Sequence, residues 1–240
     1  MVFLAKALLP GSLKHHVKTA LGMLNMQSTL LNMKRNGFSP KVIIDVGAYS
    51  GDWTRLCKCL FPVSQVLMIE PQAAMKRDLE HLMAESSGVE LASVLVGATP
   101  QATAGFYYVG SASSVLPEAE KNDLPSVYLP MTTLDALTIG KVFARPDLIK
   151  LDVQGYEVEV LKGGPRTLAG AEVVVMEVNL IAINKGAPLF HDVVKFMADR
   201  GFQVYDICTF YRRPYDRALW QTDVVFIRSS SPLVSSNRWS

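Results

Sequence analysis

Seven short apolar runs, at residues 42–46, 66–69, 91–96, 148–153, 173–178, 204–207 and 224–227, constrain this chain more than any other feature. They are rich in β-branched residues and mostly continuous rather than alternating, as strands covered on both faces are. Between them lie helical patterns at 52–60, 72–85, 156–168 and 190–200. The alternation predicts an α/β fold, a doubly wound, mostly parallel seven-stranded sheet with helices on both faces. At 240 residues, with 49% apolar and 19% charged, the chain can build one such core.

The fold domain spans 40–228. Residues 105–131 break the alternation with Phe106, Tyr107 and Tyr108, then Ser111 to Ser114, then a second strand-like run. They read as an insertion, a hairpin beside the site. Residues 229–240, rich in serine, read as a flexible tail. Residues 1–39 form an N-terminal appendage: up to Ile44 there are six bases and no acid, whereas the remainder holds 18 bases against 22 acids. After Ser12, a candidate N-cap, Leu13, Val17, Leu21, Leu24 and Leu31 recur at helical spacing, and Met23, Met26, Leu30 and Met33 widen the stripe. This predicts one basic amphipathic helix packed across the domain. The other use of such a helix is peripheral contact with an anionic membrane surface or an acidic partner.

A net charge of +2 gives no argument for nucleic acid, and no 18-residue apolar run argues for a membrane span. Cys57, Cys59 and Cys208 form no C-x-x-C pair, so a structural zinc site or disulfide frame is not expected. The apolar opening, broken by Pro10 and Gly11, lacks a signal-peptide layout. A reducing cytoplasm is the expected location.

The strongest local signal runs from Val42 to Gly51, a strand entering a glycine turn and then a helix. Glycines there let the backbone approach a ligand and leave helix N-terminal amides facing it. The spacing is neither G-x-G-x-x-G nor G-x-x-x-x-G-K-[ST], so no pyrophosphate cradle is indicated. Asp45, ahead of the glycines, would repel phosphate and favours a ligand with an ammonium group. Glu70 ends the next strand, 19 residues after Gly51, where an acid can accept from both ribose hydroxyls.

Asp45-x-Gly47-x-x-x-Gly51 with Glu70 resembles the S-adenosylmethionine site of Rossmann-like class I methyltransferases. A longer likeness, over residues 40–228, is to the FkbM family of methyltransferases. It is carried by Asp45-Val46-Gly47-Ala48, Ile69-Glu70-Pro71, Ser113-Ser114, Thr133-Leu134-Asp135, the run from Leu148 to Glu157, Leu161-Lys162-Gly163-Gly164 and the run from Asp223 to Ile227. The resemblance implies S-adenosyl-L-methionine as cofactor and O-methylation of hydroxyls on sugars, glycans or polyketides. It further implies that Asp45, Gly47 and Ala48, with the Gly51 turn, line the methionine end. Glu70 would take the ribose, Pro71 the adenosine edge, and Gly97 and Ala98 the surroundings of adenine.

On the acceptor side, Lys150 and Asp152 are two apart in one strand and share a face; Glu177 and Asn179 repeat the spacing in the next. A buried lysine needs a partner, and ligands bind at the carboxyl ends of parallel strands. Asp152 is the first candidate general base, Lys150 lowers the cost of negative charge, and Glu177 is the alternative base. The competing interpretation is a structural ion pair of Lys150 with Glu177. Asp152, Glu177 and Asn179 are also hard oxygen ligands of the kind that hold magnesium, although a metal-free site is preferred. Tyr156, Glu157, Ser113 and Ser114 are candidate contacts to a small-molecule or glycan acceptor. His81 and His191 fall in helical patterns and stay outside the catalytic set. Two other functions use the same fold: a nicotinamide-dependent oxidoreductase, disfavoured by the missing fingerprint, and a non-catalytic interaction module acting through the basic helix.

Overall fold

Residues 25–120, 124–236 and 238–239 are described by a computed structural model of the chain. The elements run α1 (Met26–Arg35), β1 (Val42–Val46), α2 (Asp52–Leu60), β2 (Gln65–Ile69), α3 (Lys76–Glu85) and β3 (Val89–Ala92). Next come β4 (Leu95–Val96), β5 (Gln101–Phe106), β6 (Val127–Thr132), α4 (Leu134–Thr138), β7 (Leu148–Leu151), α5 (Glu157–Lys162) and α6 (Pro165–Gly170). The chain closes with β8 (Val173–Asn179), α7 (Phe190–Ala198), β9 (Phe202–Ile207), β10 (Tyr211–Arg212) and β11 (Leu219–Arg228).

The main sheet has the order β3-β2-β1-β7-β8-β11, parallel as far as β8. β11 runs antiparallel to β8, and β9 and the two-residue β10 pair with its other edge. This is the expected Rossmann-like sheet, with β10 as an eighth strand. Strand alternation sorts the core into two layers. Ile44, Val46, Ile149, Leu151, Val174 and Met176 pack with Leu161, Leu168, Val193 and Met197 of α5, α6 and α7. Ile43, Val66, Met68, Leu148 and Val175 pack with Leu30 and Met33 of α1, Cys57 and Leu60 of α2, and Leu79 and Leu82 of α3. The chain turns in opposite directions from β1, to β2 on one side and β7 on the other. A ligand crevice opens at such a switch point.

Four boundaries differ from the sequence expectation. The run 91–96 is two strands, because β4 leaves the main sheet and pairs parallel with β6 in a second sheet of order β4-β6-β5. A continuous apolar run looks the same either way. The insertion therefore spans Gln101 to Thr132, wider than 105–131, and its β5–β6 pair is the expected hairpin. The helical pattern 156–168 is broken at Gly163-Gly164-Pro165, because Pro165 lacks an amide N–H and starts the next helix at its first position; Gly163 is also needed there, since a Cβ would lie 2.0 Å from the Gly97 carbonyl oxygen. The tail is packed at least to Val234: Ser231 donates to Glu172 at 2.6 Å, and Leu233 and Val234 join the α1–α3 layer.

α1 begins at Asn25, whose extended backbone (φ −136°, ψ 168°) and reciprocal hydrogen bonds with Ser28 form a capping box. The expected helix thus does not run through residue 25, and its part from Ser12 to Leu24 lies outside the described residues. The described part packs across the domain: Leu30 and Met33 are fully buried and Thr29 donates to Asp206 at 2.7 Å. Among the described residues no helix is long and apolar enough to cross a membrane.

Candidate active site

A cavity of about 350 Å3 opens at the carboxyl ends of β1, β2 and β7, within the usual range of small-molecule sites. Its inner wall is the glycine turn after β1. Gly47 has φ +77°, and a Cβ there would stand 2.0 Å from the Asp152 carbonyl oxygen, so the turn lies directly on the loop after β7. Tyr49 also has positive φ (46°), uncommon for a residue with a side chain. Its amide donates to Oε2 of Glu70 at 2.8 Å, and the Gln72 amide donates to Oε1 at 2.9 Å. Burial raises the Glu70 pKa, and these two amides oppose the rise. The carboxylate is fixed at the cavity wall and keeps lone pairs for ligand hydroxyls.

Register explains the charges. Asp45 of β1 stands opposite Lys150 of β7. Lys150 Nζ lies 3.5 Å from Asp45 Oδ1, 3.2 Å from Asp152 Oδ2 and 3.3 Å from the Gly47 carbonyl. Burial opposes the ammonium, but Asp152 and Asp45 outweigh it and hold the Lys150 pKa above the usual lysine value. Asp45 is completely buried; burial raises its pKa, against Lys150 and a 2.7 Å bond from Thr54 Oγ1 of α2. The lysine thus pairs with Asp45 and Asp152, and not with Glu177 as the structural interpretation expected. Glu177 instead receives the Gln154 amide nitrogen, which also donates to Asp152 Oδ1 at 2.9 Å. Burial, with the negative charges of Asp152, Glu157 and Asp223, pushes Glu177 far above the carboxylate range, which favours its neutral form. Glu157 is pushed up to about 7 by burial, against amide bonds from Val153 and Gly155 to its Oε1.

Gly47, Ala48, Glu70, Pro71, Lys150, Asp152, Tyr156 and Ser113 line the cavity. Asp45 and Gly51 lie behind its wall; Asp45 anchors Lys150, and a Cβ on Gly51 would meet Leu82 at 2.7 Å. Gly97 and Ala98 stand off it, because the chain turns away after β4. The preceding Val94, Leu95 and Val96 take that edge. Glu177 and Asn179 are buried beyond Gln154 and also stand off the cavity, as does Ser114, whose Oγ donates to the Gln154 carbonyl at 3.0 Å. Among the described residues no group of three His, Cys, Asp or Glu is arranged to hold a metal ion. Cavity residues that sequence reasoning missed include Tyr49, Gln72, Thr209, Tyr211 and Asp223. Asp223 carried a signal, an acid opening an apolar run; Tyr211 carried none, since only strand pairing brings it near.

The model of the methyltransferase FkbM domain matches residues 45–204. The chain belongs to the FkbM methyltransferase family. It is therefore an S-adenosylmethionine-dependent methyltransferase. Solved structures similar to this FkbM chain include the precorrin-6y C5,15-methyltransferase of Geobacter metallireducens, at 14% identity over 84% of this chain and 87% of that one, TM-score 0.45. Another is the magnesium protoporphyrin IX methyltransferase of Synechocystis with bound S-adenosylmethionine, at 12% identity over 85% and 79%, TM-score 0.47. A third is the ribosomal protein L11 methylase of Lactobacillus delbrueckii, at 14% over 84% and 78%, TM-score 0.47. No curated protein matches the chain.

The FkbM site fits its cofactor. Val94, Leu95, Val96 and Phe106 offer apolar surface for the base, and Glu70 lines the same cavity. The Trp53 indole N–H, buried at the cavity, finds no acceptor among the described residues and is free for a ligand oxygen. Asp152 and Asp223 give the far end the sign that a cationic ligand needs.

Proposed function

We propose that this methyltransferase acts on oxygen, methylating a hydroxyl of a small acceptor such as a sugar, glycan or related natural product, with Asp152 as general base. Bound S-adenosylmethionine supplies an electrophilic methyl group, so the protein's task is to place the hydroxyl and take its proton. One observation carries the reading: Asp152 is a carboxylate at the cavity, one-third exposed, held on one oxygen by Lys150 and on the other by Gln154. Both partners leave lone pairs for an incoming hydroxyl. Asp152 would take the proton that the acceptor hydroxyl gives up when its oxygen is methylated. Lys150 fixes that carboxylate from one side at 3.2 Å, and buried Asp45 holds Lys150 in place. Glu177, the alternative base expected from sequence, stands off the cavity beyond Gln154 and favours its neutral form, so it is not the base in this reading.

Asp152→Asn should lower methyl transfer to a hydroxyl acceptor by about 10²- to 10⁴-fold, the usual worth of a general base. Affinity for S-adenosylhomocysteine, read by calorimetry, should stay within a few-fold. Turnover equal to wild type would refute the assignment. Transfer to nitrogen or carbon with oxygen acceptors inert, read from the methylated product, would refute the O-methyl reading.

A further inference from the structure

Asp152 is the first residue past β7. Its amide still donates to the Val46 carbonyl at 3.0 Å, but its side chain belongs to the loop that follows. Loops move unless something ties them down, and the backbone of this one is tied on two sides. The Val153 and Gly155 amides donate to Glu157 Oε1 at 3.0 and 3.1 Å, and Ser114 Oγ donates to the Gln154 carbonyl at 3.0 Å. Gly155 is pressed into place, since a Cβ there would stand 2.6 Å from the Ala187 Cβ. Between these fixed points Gln154 takes φ +56°, a left-handed conformation that strains a residue with a side chain. Strain of this kind persists only where the surroundings impose it, and at a candidate active site it points to a task for the side chain.

The side-chain amide of Gln154 directs its two N–H groups at two carboxyl groups. One reaches Asp152 Oδ1 at 2.9 Å and the other reaches Glu177 Oε1. Glu177 is an anchor of another kind. It is buried, stands off the cavity, and belongs to β8, a strand paired with β7 on one side and β11 on the other. Its carboxyl also meets Asp152 in a side-chain hydrogen bond. In its neutral form Glu177 has one O–H for Asp152 and one carbonyl oxygen for Gln154, so the three side chains close a ring of hydrogen bonds. Lys150 takes the other oxygen of Asp152 at 3.2 Å. A carboxylate offers about four lone-pair sites; with three taken, one is left for the cavity.

We infer that Gln154 and Glu177 are positioning residues that aim Asp152 at the acceptor: Glu177, on a central strand, fixes the Gln154 amide, and the two together fix the carboxylate of the loop. This rests on the reading of Asp152 as general base and adds what sets its direction. The tether makes a loop side chain as rigid as the sheet, which is where precise sites are built. A misplacement of about 1 Å can cost on the order of 10²-fold in rate. Glutamine at position 177 separates positioning from proton transfer. Its carbonyl oxygen can accept from Gln154 and its amide can donate to Asp152, but it exchanges no proton with a substrate.

The test reads Asp152 itself. Full-length protein with carbon-13 in its Asp and Glu carboxyl groups, saturated with S-adenosylhomocysteine, is compared by NMR as wild type, Gln154→Met, Glu177→Met and Glu177→Gln; the Asp152 signal is the one lost in Asp152→Asn. Both methionine variants should shift and broaden that signal, whereas Glu177→Gln should keep it sharp and near its wild-type position. Calorimetric affinity for S-adenosylhomocysteine should stay within a few-fold throughout. If Glu177→Met fails to fold, Gln154→Met carries the comparison. In the oxygen-acceptor assay used for Asp152→Asn, Gln154→Met should lower kcat about 10- to 100-fold with acceptor KM unchanged. Placed on Asp152→Asn it should add little, because it acts through that carboxylate. An Asp152 signal indifferent to Gln154→Met, or a Glu177→Gln variant as damaged as Glu177→Met, overturns the inference. Wild-type turnover in Asp152→Asn overturns the base reading and with it the purpose of the tether, while the Asp152 signal reports the tether separately.

Discussion

Replacing Lys150 with methionine tests the account of the buried charges most directly. The substitution keeps an unbranched chain but removes the ammonium that lies 3.5 Å from Asp45 Oδ1 and 3.2 Å from Asp152 Oδ2. Asp152 can turn to solvent, but Asp45 is completely buried and keeps only the bond from Thr54. Stripping one partner from a buried ion pair costs about 3–5 kcal/mol. For a chain of this size each kcal/mol lowers Tm by about 2–4 °C, so a drop of roughly 6–20 °C is expected. The cost depends on pH. The folded Asp45 pKa already lies above its unfolded value, and losing Lys150 raises it further. The penalty is therefore full above that folded pKa and fades as pH falls through it. The folded Lys150 pKa is raised, so its contribution is present across the neutral range and lost only at strongly alkaline pH. Differential scanning calorimetry at pH 8 and at mildly acidic pH reads both effects. Adding Asp45→Asn to the methionine variant should recover most of the loss. A Tm within about 2 °C of wild type at pH 8, or no recovery in the double variant, would refute the reasoning.

Glu157→Gln should flatten the pH dependence of stability. With its pKa raised from 4.5 to about 7, wild type loses up to about 3 kcal/mol as pH climbs through that window, whereas a glutamine oxygen can keep the bonds from the Val153 and Gly155 amides. Parallel urea-denaturation curves at pH 5 and pH 8 for the two proteins would contradict this. Gly47→Ala forces a Cβ onto the Asp152 carbonyl at positive φ; a stability loss of about 1–3 kcal/mol and at least tenfold weaker S-adenosylhomocysteine binding are expected, and unchanged calorimetric affinity would argue against the contact. Glu70→Gln should weaken the same ligand about tenfold while sparing Tm by comparison with Lys150→Met; equal affinities would remove Glu70 from the ribose site.

Much of the site could be read before any coordinates. The faces of Lys150 and Asp152 follow from the two-residue period of a strand, and Glu177 and Asn179 lie on the same face of β8 as expected. Choosing the partner of Lys150 was another matter. The lysine has a neighbour on each side, β1 and β8, and the sequence reading looked toward β8. Register decides for β1, where Asp45 stands directly opposite, while Glu177 lies two positions beyond Val175, the residue paired with Lys150. Gln154, at φ +56°, then bridges Asp152 and Glu177 from a loop whose conformation no spacing rule announces.

Local chemistry determined what lies within one element or one turn: the strand and helix order, the glycine turn after β1, Glu70 at the end of β2, and the pairing of polar residues on one face. These depend on side-chain period and backbone freedom, which a few neighbouring residues specify. Tertiary structure alone decided what depends on strand order and long-range register. It sent the chain from β3 into a second sheet at β4, placed Asp45 behind the cavity wall instead of in it, and brought Tyr211 and Asp223 to the cavity from 59 and 71 residues beyond Asp152. Contacts between segments so far apart are set by how two packed layers share one sheet, and no local pattern encodes that.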